Sequence, residues 1–264
     1  MARLPEILAP AGGREQFLAA IGAGADAVYL GLKEFNARAR ASNFTLEELS
    51  SLMPLARKSN LRVLVTLNVL IKQNELPRLL DVLSELQWLG VYAVIVQDPG
   101  TARIVRRFFP ALRLHASTQM AIHNAEGVLM AREMGFRRVV LARELTIREI
   151  TRIRQALPRE EMELEAFCHG SLCYSYSGLC FFSGAEDARS GNRGECAYTC
   201  RQPYKLINEP GFGFLFSMKD LDTSHMVGDL VGAGVDALKI EGRKKDAQFV
   251  ASSVGLYRKQ LSQL

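Results

Sequence analysis

The chain has 264 residues, 48% hydrophobic and 23% charged, with a net charge of +5 and a pI near 9.0. That composition suits a globular fold with a full core and leaves room for one large α/β domain or two small ones. No run of about eighteen apolar residues occurs, and the opening Met1-Ala2-Arg3-Leu4-Pro5 lacks an apolar export segment. A membrane span is therefore not expected and the cytoplasm is the default. The basic balance permits a polyanionic partner such as RNA without requiring one.

Short apolar runs alternate with amphipathic stretches from end to end. Eight runs read as strands: residues 6–9, 27–31, 62–68, 93–97, 112–116, 138–142, 162–167 and 237–240. They are rich in Val, Ile and Leu, as parallel strands covered on both faces are. Helical spacing fills the gaps, for example Leu49, Leu52, Met53 and Ala56, or Leu79, Leu83 and Leu86. Such alternation predicts βα units around a parallel sheet.

An internal repeat sharpens this. Gly24, Gly90, Gly135 and Gly234 each stand where a helix ends, and an apolar strand begins within a few residues. Four copies of one αβ turn with eight strands predict an α/β, (β/α)8 TIM-barrel-like fold over residues 1–264. An open doubly wound sheet would place Gly-x-Gly-x-x-Gly after its first strand. The sequence there is Pro10-Ala11-Gly12-Gly13-Arg14. Between strands seven and eight the rhythm breaks. Residues 168–216 read as a cysteine-rich loop inserted on the C-terminal face, with a helix resuming at Met218-Lys219-Asp220-Leu221. A long loop without structure of its own is usually functional or disordered, and a metal would order it.

All five cysteines fall in or beside that stretch, and four of them read Cys173-x6-Cys180-x15-Cys196-x3-Cys200. An odd count without an export segment argues for metal or redox chemistry over disulfides. Thiolates select soft metal centres. Only Cys196-x3-Cys200 resembles a zinc knuckle, whereas an iron–sulfur cluster tolerates irregular spacing, so both readings stand at this point.

Polar residues follow most strands directly: Asn68, Gln97-Asp98, His115 with Ser117-Thr118-Gln119, Arg143-Glu144, His169, and Glu241-Gly242-Arg243. On a barrel they converge on the C-terminal mouth, although Ser117 and Thr146 also suit helix caps. Glu144, His169 and Glu241 are candidates for proton transfer. Arg143, Lys239 and Arg243, with Asn68 and Gln119, offer a site for a carboxylate or phosphate. Arg193 and Arg201, interleaved with Tyr198 and Tyr204, suit nucleic-acid backbone and stacked bases.

The run Glu165-Ala166-Phe167-Cys168-His169-Gly170-Ser171-Leu172-Cys173, continued to Ser177-Gly178-Leu179-Cys180, resembles the signature of the collagenase-like peptidase family U32. The likeness extends through Leu8-Ala9-Pro10-Ala11-Gly12, Val65-Thr66-Leu67-Asn68, Ala142-Arg143-Glu144-Leu145 and Lys239-Ile240-Glu241-Gly242-Arg243. Within the family it is most similar to the branch that makes 5-hydroxycytidine in 23S ribosomal RNA. His115-Ala116-Ser117-Thr118-Gln119 and Ser190-Gly191-Asn192-Arg193-Gly194-Glu195-Cys196 carry that likeness. Branches that hydroxylate tRNA uridine or ubiquinone share the core signature.

The resemblance implies a four-iron four-sulfur (4Fe-4S) cluster on Cys173, Cys180, Cys196 and Cys200. Cys168 stands outside the quartet, where relatives carry an aliphatic residue. It further implies hydroxylation linked to a prephenate-like small molecule, an electron donor it does not identify, and an RNA substrate, 23S rRNA or its precursor. Longer members continue past such a barrel and Leu264 falls in an apparent helix, so a further C-terminal domain is expected. Two alternatives stand: a U32-type peptidase, and an RNA-binding scaffold with structural zinc (Zn). The first would need an activated thiol, yet Cys168 and His169 are adjacent, which points their side chains apart on a strand.

Overall fold

The structure is a computed structural model that describes residues 4–208 and 210–264. Eight parallel strands close into a barrel: β1 (Glu6–Ala11), β2 (Ala27–Gly31), β3 (Arg62–Leu67), β4 (Ala93–Val96), β5 (Arg113–Ala116), β6 (Arg138–Val140), β7 (Glu163–Ser171) and β9 (Ala237–Glu241). Neighbours in sequence pair from β1 to β7, and β9 closes the ring by pairing with both β7 and β1. Each of the eight predicted strands is present. Eight helices follow the strands outside the ring: α1 (Arg14–Gly22), α2 (Leu46–Lys58), α3 (Leu76–Leu89), α4 (Pro99–Phe108), α5 (Ala125–Glu133), α6 (Ile147–Ala156), α8 (Val227–Gly232) and α9 (Ala247–Leu261). A short α7 (Phe182–Asp187) lies within the cysteine segment.

The helices stand because their apolar stripes are covered and their ends are capped. On α3, Leu79, Val82, Leu83, Leu86 and Leu89 are buried against the strands, each contributing roughly 1.5–3 kcal/mol. Thr45 with Glu48 and Thr146 with Glu149 form reciprocal capping boxes. Asp98, Asn124 and Asp246 cap α4, α5 and α9. Gly24, Gly90, Gly135 and Gly234 all take positive φ, 70 to 92°. The predicted repeat is thus a true backbone repeat, in a conformation a Cβ would penalise.

The main core lies between strands and helices. The barrel interior is different: a small apolar group, Leu8, Ala27, Tyr29, Leu64, Ala93 and Ile95, shares it with buried charges. Arg138, fully buried, donates to Glu163 (2.6 Å), Glu6 (3.0 Å) and Glu165 (3.3 Å), and Glu165 pairs with Lys239 at 2.7 Å. A ladder of opposite charges therefore climbs from the barrel floor to its mouth.

Two expectations need correction. Residues 168–171 belong to β7, which runs to Ser171, so no loop begins at Cys168. Nor does a helix resume at Met218: Asp220–Asp222 is a short strand, β8, antiparallel to β7, and α8 starts only at Val227. The reason is the open edge that the upper half of β7 offers beyond β6, whose pairing stops at Glu165.

Candidate functional site

One cavity opens at the C-terminal mouth. Its floor is the upper barrel interior, and residues 172–200 form its roof. Alternation along the strands directs Tyr29, Thr66, Phe167, Lys239 and Glu241 inward, and all five line it together with Asn68, Gln119, Arg143 and Arg243. The backbone must pass close here. A Cβ on Gly170 (φ +97°) would collide with the Glu241 carbonyl, so only glycine lets β7 approach β9 at this level.

Cations outnumber carboxylates. Lys239 pairs with Glu165 and lies over the rings of Tyr29 (4.5 Å) and Phe167 (5.5 Å). Burial pulls its ammonium below the usual range, opposed by Glu165. Glu241 is 3.5 Å from Arg38 and 3.3 Å from the Tyr29 hydroxyl. Burial works against its charge, but Arg38, Arg143, Arg243 and Lys239 hold it below the usual carboxylate range. Glu241 and burial, in turn, shift their neighbours: Arg38 is pushed up chiefly by Glu241, and Tyr29 chiefly by burial.

Arg143 and Arg243 have no carboxylate at ion-pair distance among the described residues. Arg243 donates to neutral oxygens of Asn36 (3.3 Å) and Thr66 (3.2 Å), and burial pulls it down to about 10. Arg143 stacks on Phe167 at 4.5 Å, reaches the Ser171 carbonyl at 3.4 Å, and buries an Nε without a partner. Two guanidiniums left this way favour an anion between them. Asn68 fixes the rim: its Nδ2 donates to Gln119 (2.8 Å) and its Oδ1 accepts from the Ala37 amide (3.1 Å).

Cys173, Cys180, Cys196 and Cys200 all line the same cavity, and all are free and partly accessible. The Cys200 thiol is pushed up by burial and then by Cys173, Cys196 and Cys180, with Arg201 opposing. Cys173 shares a hydrogen bond with the Ser175 hydroxyl (3.0 Å), and Cys196 accepts one from the Tyr198 amide (3.4 Å). Among the described residues, no three His, Cys, Asp or Glu side chains are drawn tightly enough to hold a single ion. Four soft donors around one space, loosely spaced and with amide and hydroxyl donors beside them, fit a group larger than one ion.

Other sequence candidates lie elsewhere. His169 faces away from the cavity, packed between Phe249 and Tyr257 of α9. The register slips between Phe167 and His169, so Phe167 partners Lys239 while His169 partners the outward Ile240. The extra residue at this bulge is Cys168. Cys168 is itself fully buried on the helix side, donates to the Lys239 carbonyl, and has its thiol pushed up by burial. His115 is also displaced from the mouth: it sits inside β5, edge-on to Tyr92, at the opposite opening. Asp98 only caps α4.

Glu144 anchors the roof. Its carboxylate accepts from the Ser177 amide (2.7 Å) and hydroxyl (2.6 Å), fixing a residue at φ +44°. Burial opposes the charge, and those two bonds hold the carboxyl below the usual range. Arg193 clasps Glu75 at 2.6 Å and the Leu70 carbonyl, and Arg201 ties Ser217 to Leu172 (both 2.7 Å). Glu144 and Arg193 hold the segment to the barrel, and Arg201 ties its two ends together. Arg38, Tyr29 and Phe167 were missed as site residues. Arg38 lies seven residues beyond β2, in a loop folded by Asn36 and Asn43, whereas the alternation of β2 and β7 already placed Tyr29 and Phe167 inward.

The model of the family described as peptidase family U32 matches residues 12–264. The 23S rRNA 5-hydroxycytidine synthase of Escherichia coli is 40% identical over 261 residues, covering 97% of this chain and 39% of that protein. A tRNA hydroxylation protein of Bacillus subtilis is 37% identical, covering 97% of this chain and 62% of its own. A protein named collagenase from Porphyromonas gingivalis is 33% identical, with 97% and 65% covered. The chain thus spans about two fifths to two thirds of the length of these relatives. Among solved structures, a U32 peptidase superposes with a TM-score of 0.63 at 15% identity, covering 93% of this chain and 96% of that one. A phosphoribosylanthranilate isomerase from Thermotoga maritima gives 0.55 at 9%, covering 99% and 100%. At such identities these structures speak to the barrel fold alone.

Proposed function

Because the chain belongs to peptidase family U32, we propose that it is the barrel of an RNA-hydroxylating enzyme acting on a pyrimidine, with a cytidine of 23S rRNA the first candidate. One observation carries the reading: four cysteine sulfurs and two guanidiniums without carboxylate partners line a single cavity. The names of its rRNA- and tRNA-hydroxylating relatives support RNA as the substrate.

Cys173, Cys180, Cys196 and Cys200 would hold a four-iron four-sulfur cluster. When bound, such a cluster supplies one-electron chemistry. Arg143 and Arg243 bind the carboxylates of a prephenate-like small molecule, and Lys239 adds a third positive charge above Phe167. Glu241, held ionised, can accept a proton but not donate one. Its Oε1 also orients Arg38 across the mouth. Asn68 and Gln119, bound to each other, form one amide edge of the cavity for an entering base.

The peptidase reading meets a specific obstacle. Cys168 is fully buried, its thiol is pushed up, and His169 is turned toward α9, so neither an activated thiolate nor its base faces a substrate. The zinc-scaffold reading is separated from ours by metal content.

The test is a nucleoside digest of ribosomal and transfer RNA from a strain lacking this gene, complemented with wild type or Arg243→Ala. We expect one hydroxylated pyrimidine to vanish on deletion, return with wild type, and stay reduced by tenfold or more with the variant, about 1.4 kcal/mol or greater. Unchanged RNA in the deletion strain would refute the reading.

A further inference from the structure

The arginines are not spread evenly. Residues 99–159 contain twelve arginines, no lysine or aspartate, and four glutamates, a net +8. The whole chain carries +5, so the remainder carries −3. This stretch builds one continuous flank, α4, α5 and α6 with the strands between them.

Several of these arginines have other work. Arg138 is in the interior ladder, Arg143 is in the cavity, and Arg154 binds Asp236 at 2.6 Å. Arg132 pairs with Glu161. Arg103 and Arg107 on α4 and Arg148 and Arg152 on α6 do not: all four are exposed, and none is at ion-pair distance from a carboxylate among the described residues. Each pair is spaced i, i+4, so its two charges share a helix face and repel. Arg107 lies over the Phe108 ring and Arg152 attracts Glu149 one turn back, but no carboxylate holds any of the four at ion-pair distance among the described residues, which points to an external anion.

On the reading of the chain as an RNA enzyme, we infer that this flank is where a double-helical segment of the RNA lays its phosphate backbone. Guanidinium forks match phosphate oxygens two at a time, which a lysine ammonium does not. The flank exposes a single aromatic ring, Phe108, and Arg107 already lies over it at 5.2 Å, so there is no run of rings for successive bases to stack on. Recognition by phosphate and shape, without base stacking, suits A-form helix. Arg148 stands in the first turn of α6 and Arg103 just past the first turn of α4, in the halves of these helices nearer the barrel mouth. A helix docked here leaves an adjoining unpaired nucleotide beside the cavity.

The experiment measures binding of a fluorescent RNA hairpin by the full chain against potassium chloride concentration. It compares wild type, a flank variant (R103Q, R107Q, R148Q, R152Q), and a control variant on exposed cations elsewhere (R14Q, K33Q, K58Q, K259Q). We expect the flank variant to lose at least tenfold in affinity and about four units of salt slope, with an unchanged melting curve and the control close to wild type. Equal losses in both variants, or none in the flank variant, would overturn the inference while leaving the RNA reading intact. A wild-type chain that binds no hairpin would overturn the inference too. The nucleoside digest reports on the RNA reading separately.

Discussion

In the barrel, strand alternation decides what each side chain does: Val28, Val63 and Val94 pack outward while Tyr29, Leu64 and Ile95 face in. The described residues of 172–219 follow no such rule. They are held by a handful of polar ties, Glu144 to Ser177, Arg193 to Glu75 and Asn192 to Cys180, around an aromatic knot of Tyr174, Phe182, Tyr204 and Phe216. Stability in the first region is collective, and in the second it is local. The four cavity cysteines therefore sit on the locally held segment, across the cavity from cations carried by the barrel.

Breaking the ladder should hurt the whole molecule most. Arg138→Met removes the partner shared by the buried Glu6 and Glu165 and the half-buried Glu163, leaving Glu165 with Lys239 and Glu6 with Arg62. We expect a loss of about 3–5 kcal/mol, read as a lowered urea midpoint. A midpoint near wild type would mean the ladder is dispensable.

Cutting one roof tie should act only locally. Glu144→Ala removes two charge-assisted hydrogen bonds at a partly exposed site, about 1–2 kcal/mol of segment stability. Hydrogen exchange should speed up across residues 175–201 while the barrel strands stay protected. Uniform acceleration would contradict the division into two regions.

The mildest effect is a pH dependence of the barrel. Burial, then Arg138, Lys239, Arg113 and Arg62, hold His115 neutral well below its ordinary pKa. The unfolded chain protonates near 6.5, so this contribution is complete above that pH and is lost as pH falls below it. The slope is at most about 1.4 kcal/mol per pH unit. His115→Gln should flatten the stability curve between pH 6.5 and 5 by roughly that amount, and curves parallel to wild type would argue against it.

The barrel was legible because its signals are local. An apolar run buried on both faces and a left-handed glycine after a helix each declare themselves within a few residues. The site was legible where it continued that rhythm, at Asn68, Lys239, Glu241 and Arg243. It failed where distant partners decide. The bulge at Cys168 that turns His169 outward is clamped by Thr223 and Tyr257, 55 and 89 residues away. Glu144 meets Ser177 33 residues later, and Arg193 meets Glu75 118 residues back. No spacing rule links such pairs.

The proposed cluster requires Cys173, Cys180, Cys196 and Cys200 to serve one inorganic group. The direct measurement is iron, acid-labile sulfide and zinc content after anaerobic purification, in wild type and in each single Cys→Ala variant. We predict a brown wild-type protein with four iron and four sulfide per chain, lost in all four cavity variants and retained in Cys168→Ala. Colourless protein with stoichiometric zinc, or iron retained when Cys173 or Cys196 is removed, would contradict it.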